Sequence, residues 1–197
     1  MKVYHGSSVL FDRFDLAHAL EGDGKCKFGF GVYVTEGYGS AARYAFNKAR
    51  PENKDYYVYT LEIPDKDADN CLSLLKGVQV NDSIITRVES KLGIAIPAEA
   101  RAEGIPFRKY VANLVTGNIK SVKQMTGKAT VSAEKAASDF FFSIGVTLIE
   151  WPRDWNHADK EKNYAVLNDN LIKITRIDKV ELDKKHHLIP GSEIQVK

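Results

Sequence analysis

Apolar residues along this chain follow two rhythms, and the change of rhythm divides it. Short runs rich in β-branched and aromatic residues predict strands over residues 2–5, 28–35, 56–63, 146–151, 164–168 and 171–177. These runs cluster at the two ends. Between 81 and 143 the spacing turns helical: Ile84, Ile85, Val88 and Leu92 share one stripe, and Val111, Leu114, Val115, Ile119 and Val122 another. A shorter helix is predicted over residues 40–48, where Ala41, Tyr44 and Ala45 form one face and Pro51 ends the run. No regular strand–helix alternation continues, so an α+β fold with mainly antiparallel pairing is expected, not a doubly wound sheet. Gly and Pro are scattered and there is no internal repeat. The 197 residues therefore read as a single domain, 1–197, with a mainly helical insert at about 79–125.

Composition narrows the class. A hydrophobic share of 44% supplies a sizeable core, while a mean hydropathy of −0.30 and the lack of any apolar run near 20 residues argue against a membrane-spanning helix. The net charge of +2 gives no whole-chain reason for a nucleic-acid or acidic-membrane partner, so any such case has to be local. Cys26 and Cys71 lack metal-ligand spacing, and His186 and His187 beside Lys184 and Lys185 have no third ligand nearby; no metal site is expected. Asp12 and Asp15 fall where a secretory signal would carry its apolar core, and with two thiols in the chain a reducing, cytoplasmic setting is expected.

Three segments carry candidate chemistry. His5-Gly6-Ser7 ends the first strand; read singly, the histidine is a turn or structural residue or a ligand contact, and Gly6, lacking a Cβ, would let a flat ligand approach its backbone. Phe30-Gly31-Val32-Tyr33 is followed by Ser40-Ala41-Ala42-Arg43-Tyr44-Ala45, so a strand tyrosine and a helix tyrosine either pack in the core or face each other as a clamp for a flat heteroaromatic ring. Neither the dinucleotide GxGxxG fingerprint nor a phosphate loop is present. The third segment is the late strand Asn163-Tyr164-Ala165-Val166-Leu167.

Taken in order, these segments, leading into Asp169-Asn170-Leu171-Ile172-Lys173-Ile174, resemble the ADP-ribosyltransferase superfamily, in particular its His-Tyr-Glu branch of poly(ADP-ribose) polymerases, diphtheria-like toxins and small bacterial and phage toxins. The stretch from Ala137 to Trp151 also looks like the helix and strand preceding the last motif in phage-associated members. The resemblance covers roughly residues 1–63 and 136–178. It implies a split β-sheet core and NAD as co-substrate without a metal. His5 would donate to the adenine-side ribose, the Gly6 backbone would pair with the nicotinamide carboxamide, Ser7 would be the small hydroxyl of the motif, and Tyr33 and Tyr44 would sandwich the nicotinamide. The implied activity is mono-ADP-ribosylation of a macromolecule by an intracellular toxin or defence effector, with an antitoxin or inhibitory protein as a possible partner. NAD glycohydrolysis, or a catalytically weak binding module on the same fold, are the alternatives.

One position departs from the family: the catalytic glutamate is replaced by Asn163, an amide that can hydrogen-bond a ribose hydroxyl but carries no charge and cannot act as a base. Either a nearby carboxylate (Glu161, Asp159 or Glu150) takes the role, or the acceptor supplies the base, or NAD binds without efficient chemistry. The insert hints at the acceptor. Between residues 101 and 135, Arg101, Arg108, Lys109, Lys120, Lys123, Lys128 and Lys135 face only Glu103 and Glu134, a local excess of five positive charges. That run is a solvated face, a dock for an acidic protein, or a surface for RNA or DNA gripped through Arg108, Lys109, Lys120, Lys123 and Lys128.

Overall fold

The structure is a computed structural model that describes residues 1–19, 26–48, 55–117 and 130–197. Lys120, Lys123 and Lys128, with Ile119 and Val122, lie outside the described residues. The strands are β1 (Lys2–Ser7), β2 (Val32–Thr35), β3 (Tyr56–Glu62), β4 (Cys71–Ser73), β5 (Leu148–Pro152), β6 (Lys162–Val166), β7 (Lys173–Val180) and β8 (Ile194–Gln195). They form one sheet in the order β4-β5-β6-β2-β1-β3-β7-β8, antiparallel except for the β4–β5 pair. The fold is α+β, as the patterning predicts. The eight strands are continuous in one sheet, and its narrowest pairing is the seam between β1 and β2: β1 pairs with β3 from Lys2–Glu62 to Ser7–Tyr57, whereas it meets β2 through the single register pair Tyr4–Thr35.

Helices cover one face of this sheet. Helix α1 (Tyr38–Lys48) lies over β1 and β3, with Ala41 and Ala42 packed on Val58 and Val180. Helices α2 (Asp82–Leu92), α3 (Ala98–Arg101), α4 (Gly104–Val115) and α5 (Val131–Ser143) cover β4, β5 and β6. They share one apolar core with Leu72, Ile149, Trp151 and Ala165, so the helical insert is bolted onto the sheet and has no separate core among the described residues. Asn81 caps α2 by accepting from the Ser83 amide at 2.7 Å, and Gly93 ends it at φ +66°. The opposite face carries Val3, Val34, Tyr59, Leu61, Tyr164 and Ile177, with Phe11 and Phe14 packed onto it.

Several predicted boundaries move. The run at 28–35 is a strand only from Val32, because Gly29 turns at φ +113° and the Tyr33 hydroxyl closes that turn, accepting from the Phe28 amide at 3.0 Å and donating to the Gly29 carbonyl at 2.9 Å. The late strands shift by about two residues to β5, β6 and β7, and β4 is a three-residue parallel strand that no sequence pattern marked.

Candidate functional site

Register decides which side chains meet. Tyr33 lies opposite Ala165 and Thr35 opposite Asn163 across β2–β6, and Trp151 lies opposite Asn163 across β5–β6. Side chains alternate along a strand, so Tyr33, Thr35, Asn163, Ala165 and Trp151 share the helix-covered face. The same alternation puts Glu161, two residues before Asn163, on that side. It puts Glu150 on the other, beside Tyr164. There Glu150 is buried and paired with the Lys66 ammonium at 2.7 Å, on the side of the sheet away from Asn163. Asp159 is exposed in the turn 153–161, whereas the Glu161 carboxylate accepts from the Thr35 hydroxyl at 2.7 Å and has Arg153 at 3.7 Å. Of the three carboxylates considered, Glu161 is the one held on the Asn163 face.

Asn163 is 5% exposed. Its amide nitrogen donates to the Tyr44 hydroxyl at 3.4 Å, a long bond that links α1 to β6, and its carbonyl oxygen is buried without a partner. An orphaned buried acceptor costs about 1–3 kcal/mol, which a ligand hydroxyl donating to it would recover. Helix α1 turns the stripe Gly37, Ser40 and Tyr44 toward this face. The Glu161 oxygens would stand 2.5 and 2.8 Å from a Cβ at Gly37, so glycine there lets the carboxylate approach the helix start.

Tyr33 and Tyr44 flank Asn163 from the strand and the helix but make no ring contact with each other in the described structure. The Tyr33 ring rests 4.9 Å from Trp151, and Phe28 stacks on Trp151 at 4.5 Å. Burial pushes the Tyr33 phenol up to about 12, so it stays a neutral donor at ordinary pH. His5 points to the opposite face, edge-on to Phe14 at 5.0 Å, and reaches the seam through Nδ1, which lies 2.7 Å from the Tyr33 carbonyl oxygen. With the carbonyl as acceptor, Nδ1 carries the proton of that bond. Ser7 accepts from the Val9 amide at 3.0 Å in the turn that follows β1. Gly6 is glycine for a reason the sequence did not supply: a Cβ there would lie 1.8 Å from the Ala41 carbonyl oxygen, so α1, not a ligand, occupies the side where the Cβ would be.

The basic insert needs correction at Arg108. Its side chain is 3% exposed and ion-paired with Glu134, and it donates to the Lys27 carbonyl at 3.0 Å, so it cannot contact a phosphate at the surface. Lys109 is half-buried, and Lys135 is exposed but pairs with Asp139 at 2.9 Å. Burial raises both the Cys26 and the Cys71 thiols, so neither is a ready nucleophile. His186 stacks on Phe46 at 3.5 Å. No family model matches the chain, and neither a curated protein nor a solved structure matches it.

Thr35, Trp151 and Arg153 escaped the sequence reading. Thr35 carried a usable signal, since it stands two residues after Tyr33 on the same strand face. Trp151 and Arg153 needed the β5–β6 register.

Proposed function

We propose that the protein is an NAD-dependent mono-ADP-ribosyltransferase whose reaction centre is the Asn163–Glu161 face of β6. The observation that carries this reading is the buried, unpartnered carbonyl of Asn163, on the sheet face that also bears Tyr33, with Tyr44 bonded to its amide nitrogen and the Glu161 carboxylate two residues away. An acceptor so placed suits a hydroxyl of the nicotinamide-side ribose. The fold itself, with a sheet nearly parted at the β1–β2 seam, supports the same family reading.

The chemistry follows from those groups. The bond from ribose C1′ to the nicotinamide nitrogen breaks, its electron pair leaves with the neutral nicotinamide, and positive charge grows on the ribose. The acceptor's nucleophile bonds to C1′ and its proton passes to Glu161, held ready by Thr35. Asn163 orients the sugar, and the carboxylate supplies the negative charge that the amide lacks. Glu161 is 23% exposed at its side chain, so water can also reach it, which makes glycohydrolysis the reading to separate from transfer. Incubation with adenylate-labelled NAD and separated cell protein, RNA and DNA does so. Label on a macromolecule supports transfer; free ADP-ribose alone supports hydrolysis; intact NAD with every fraction contradicts both.

A further inference from the structure

Outside Asn163, on the Glu161 side, the surface opens into a cavity of 350 Å³ whose lining includes Gly37, Ser40, Arg43, Arg153, Glu161 and His187. Its charge is lopsided. Two guanidiniums flank one carboxylate, while His187 lies 3.7 Å from Asp183; Arg153 touches the Glu161 carboxylate only at 3.7 Å, and Arg43 is exposed and has no ion pair in the described structure. Guanidiniums converging on a cavity suit a phosphate, which each can grip with two N–H donors.

Position separates this cavity from the part of the site assigned to nicotinamide. Along the chain entering β6 the order is Glu161, Asn163, Ala165, and Tyr33 stands opposite Ala165. Arg153 therefore lies on one side of Asn163 and the tyrosine on the other. A phosphate held here belongs with the incoming acceptor. The neighbouring turn offers a second element: Trp155, two residues past Arg153, is 44% exposed, with its ring 6.3 Å from Phe28, and the Lys27 ammonium sits 5.1 Å from the Phe28 centroid. The Trp155 ring leans toward Phe28 and does not line the cavity, so the two are separate features of one turn; an exposed ring along the path of a strand gripped through its phosphates is the pairing that holds single-stranded nucleic acid.

We propose that this cavity seats a phosphodiester of a single-stranded nucleic-acid acceptor, with the adjoining base stacked on Trp155. The inference rests on the transferase reading and gives its acceptor a chemistry and a place. It also moves the nucleic-acid contact from the helical insert to the β5–β6 turn.

The test is fluorescence anisotropy with a fluorescein-labelled single-stranded 12-mer, as RNA and as DNA, titrated across a range of salt. Because Arg43 and Arg153 are exposed, the double variant R43Q/R153Q keeps the fold; it should bind at least about tenfold more weakly and lower the salt slope by about 0.7, the release expected from one single-strand phosphate contact. R43K/R153K should retain most of the salt slope. W155A should weaken binding about 5- to 100-fold with little change in slope. Parent-like binding by R43Q/R153Q, or a parent that binds neither oligonucleotide, overturns the proposal. So does an equal loss of NAD affinity in R43Q/R153Q, which assigns the cavity to the cofactor's pyrophosphate, or tighter binding of a phosphopeptide than of either 12-mer. Oligonucleotide binding needs no NAD cleavage, so a protein that binds the 12-mers as described yet leaves NAD intact contradicts the transferase reading alone.

Discussion

Replacing Arg108 with methionine isolates the buried ion pair that fastens α4 to α5, whose guanidinium also reaches the loop before Tyr33. The Arg108 and Glu134 side chains are 3% and 6% exposed, and the guanidinium also donates to the Lys27 carbonyl at 3.0 Å, while its Nε has no partner. Deleting one partner strands the other charge in a low-dielectric core, at a cost of about 3–5 kcal/mol. For a chain of this size that corresponds to a fall in Tm of about 6–20 °C. The double variant R108M/E134L removes both charges and leaves an apolar contact of similar volume, so it should recover most of the loss or exceed the parent. Urea unfolding followed by circular dichroism gives all three corners of the cycle with the parent as the fourth. A loss below about 1 kcal/mol in R108M, or a double variant as unstable as the sum of the two single changes, would refute the buried-pair argument and return Arg108 to the surface.

Gly6→Ala should destabilise by about 1–3 kcal/mol or more, because its Cβ would meet the Ala41 carbonyl oxygen of α1 at 1.8 Å. Gly39→Ala, in the same helix with nothing within 4 Å, should be neutral or stabilise by up to about 1 kcal/mol, and urea midpoints compare the two directly. The buried Tyr33 phenol makes stability pH-dependent. Its folded-state value is raised to about 12 from an ordinary 10, so its contribution is full below pH 10 and is lost as pH rises toward 12, by about 2–3 kcal/mol. Tyr33→Phe should therefore lose less stability than the parent between pH 9 and pH 11.5; identical losses would remove Tyr33 as a source of that dependence.

How much of this was legible in the sequence depends on how local each signal is. Helix α1 was readable from Ala41, Tyr44 and Ala45, because helical spacing repeats within four residues. Residues 84, 85, 88 and 111 were readable as a core for the same reason, and three of the four strands that carry the seam and the site lie where alternation put them or within about two residues of it. Strand β4 was not, since three residues show no period and its partner β5 lies more than seventy residues later. Arg108 misled because charges were summed along the chain, and a sum does not see pairing across 26 residues. The helical spacing did hold a warning: Arg108 falls among Phe107, Val111 and Ala112, and Glu134 falls on the stripe of Ala137, Ser138 and Phe141. At the site, Asn163, Glu161, Tyr33 and Tyr44 were singled out from the sequence and share one face, whereas His5, singled out with them, points to the other. Glu150 was placed with them only because adjacency along the chain does not reveal which face of the sheet a residue occupies.

The central claim is that the Asn163–Glu161 face cleaves NAD, and nicotinamide release measures it most directly. With NAD and cell extract as a source of acceptor, the parent should release nicotinamide. Glu161→Gln should slow release about 10- to 100-fold, the scale of one lost charge-assisted hydrogen bond in the transition state, and Asn163→Ala about 2- to 10-fold, the scale of a neutral one, while circular dichroism shows both folded. No release by the parent, or folded variants at both positions that release nicotinamide as fast as the parent, would contradict the claim.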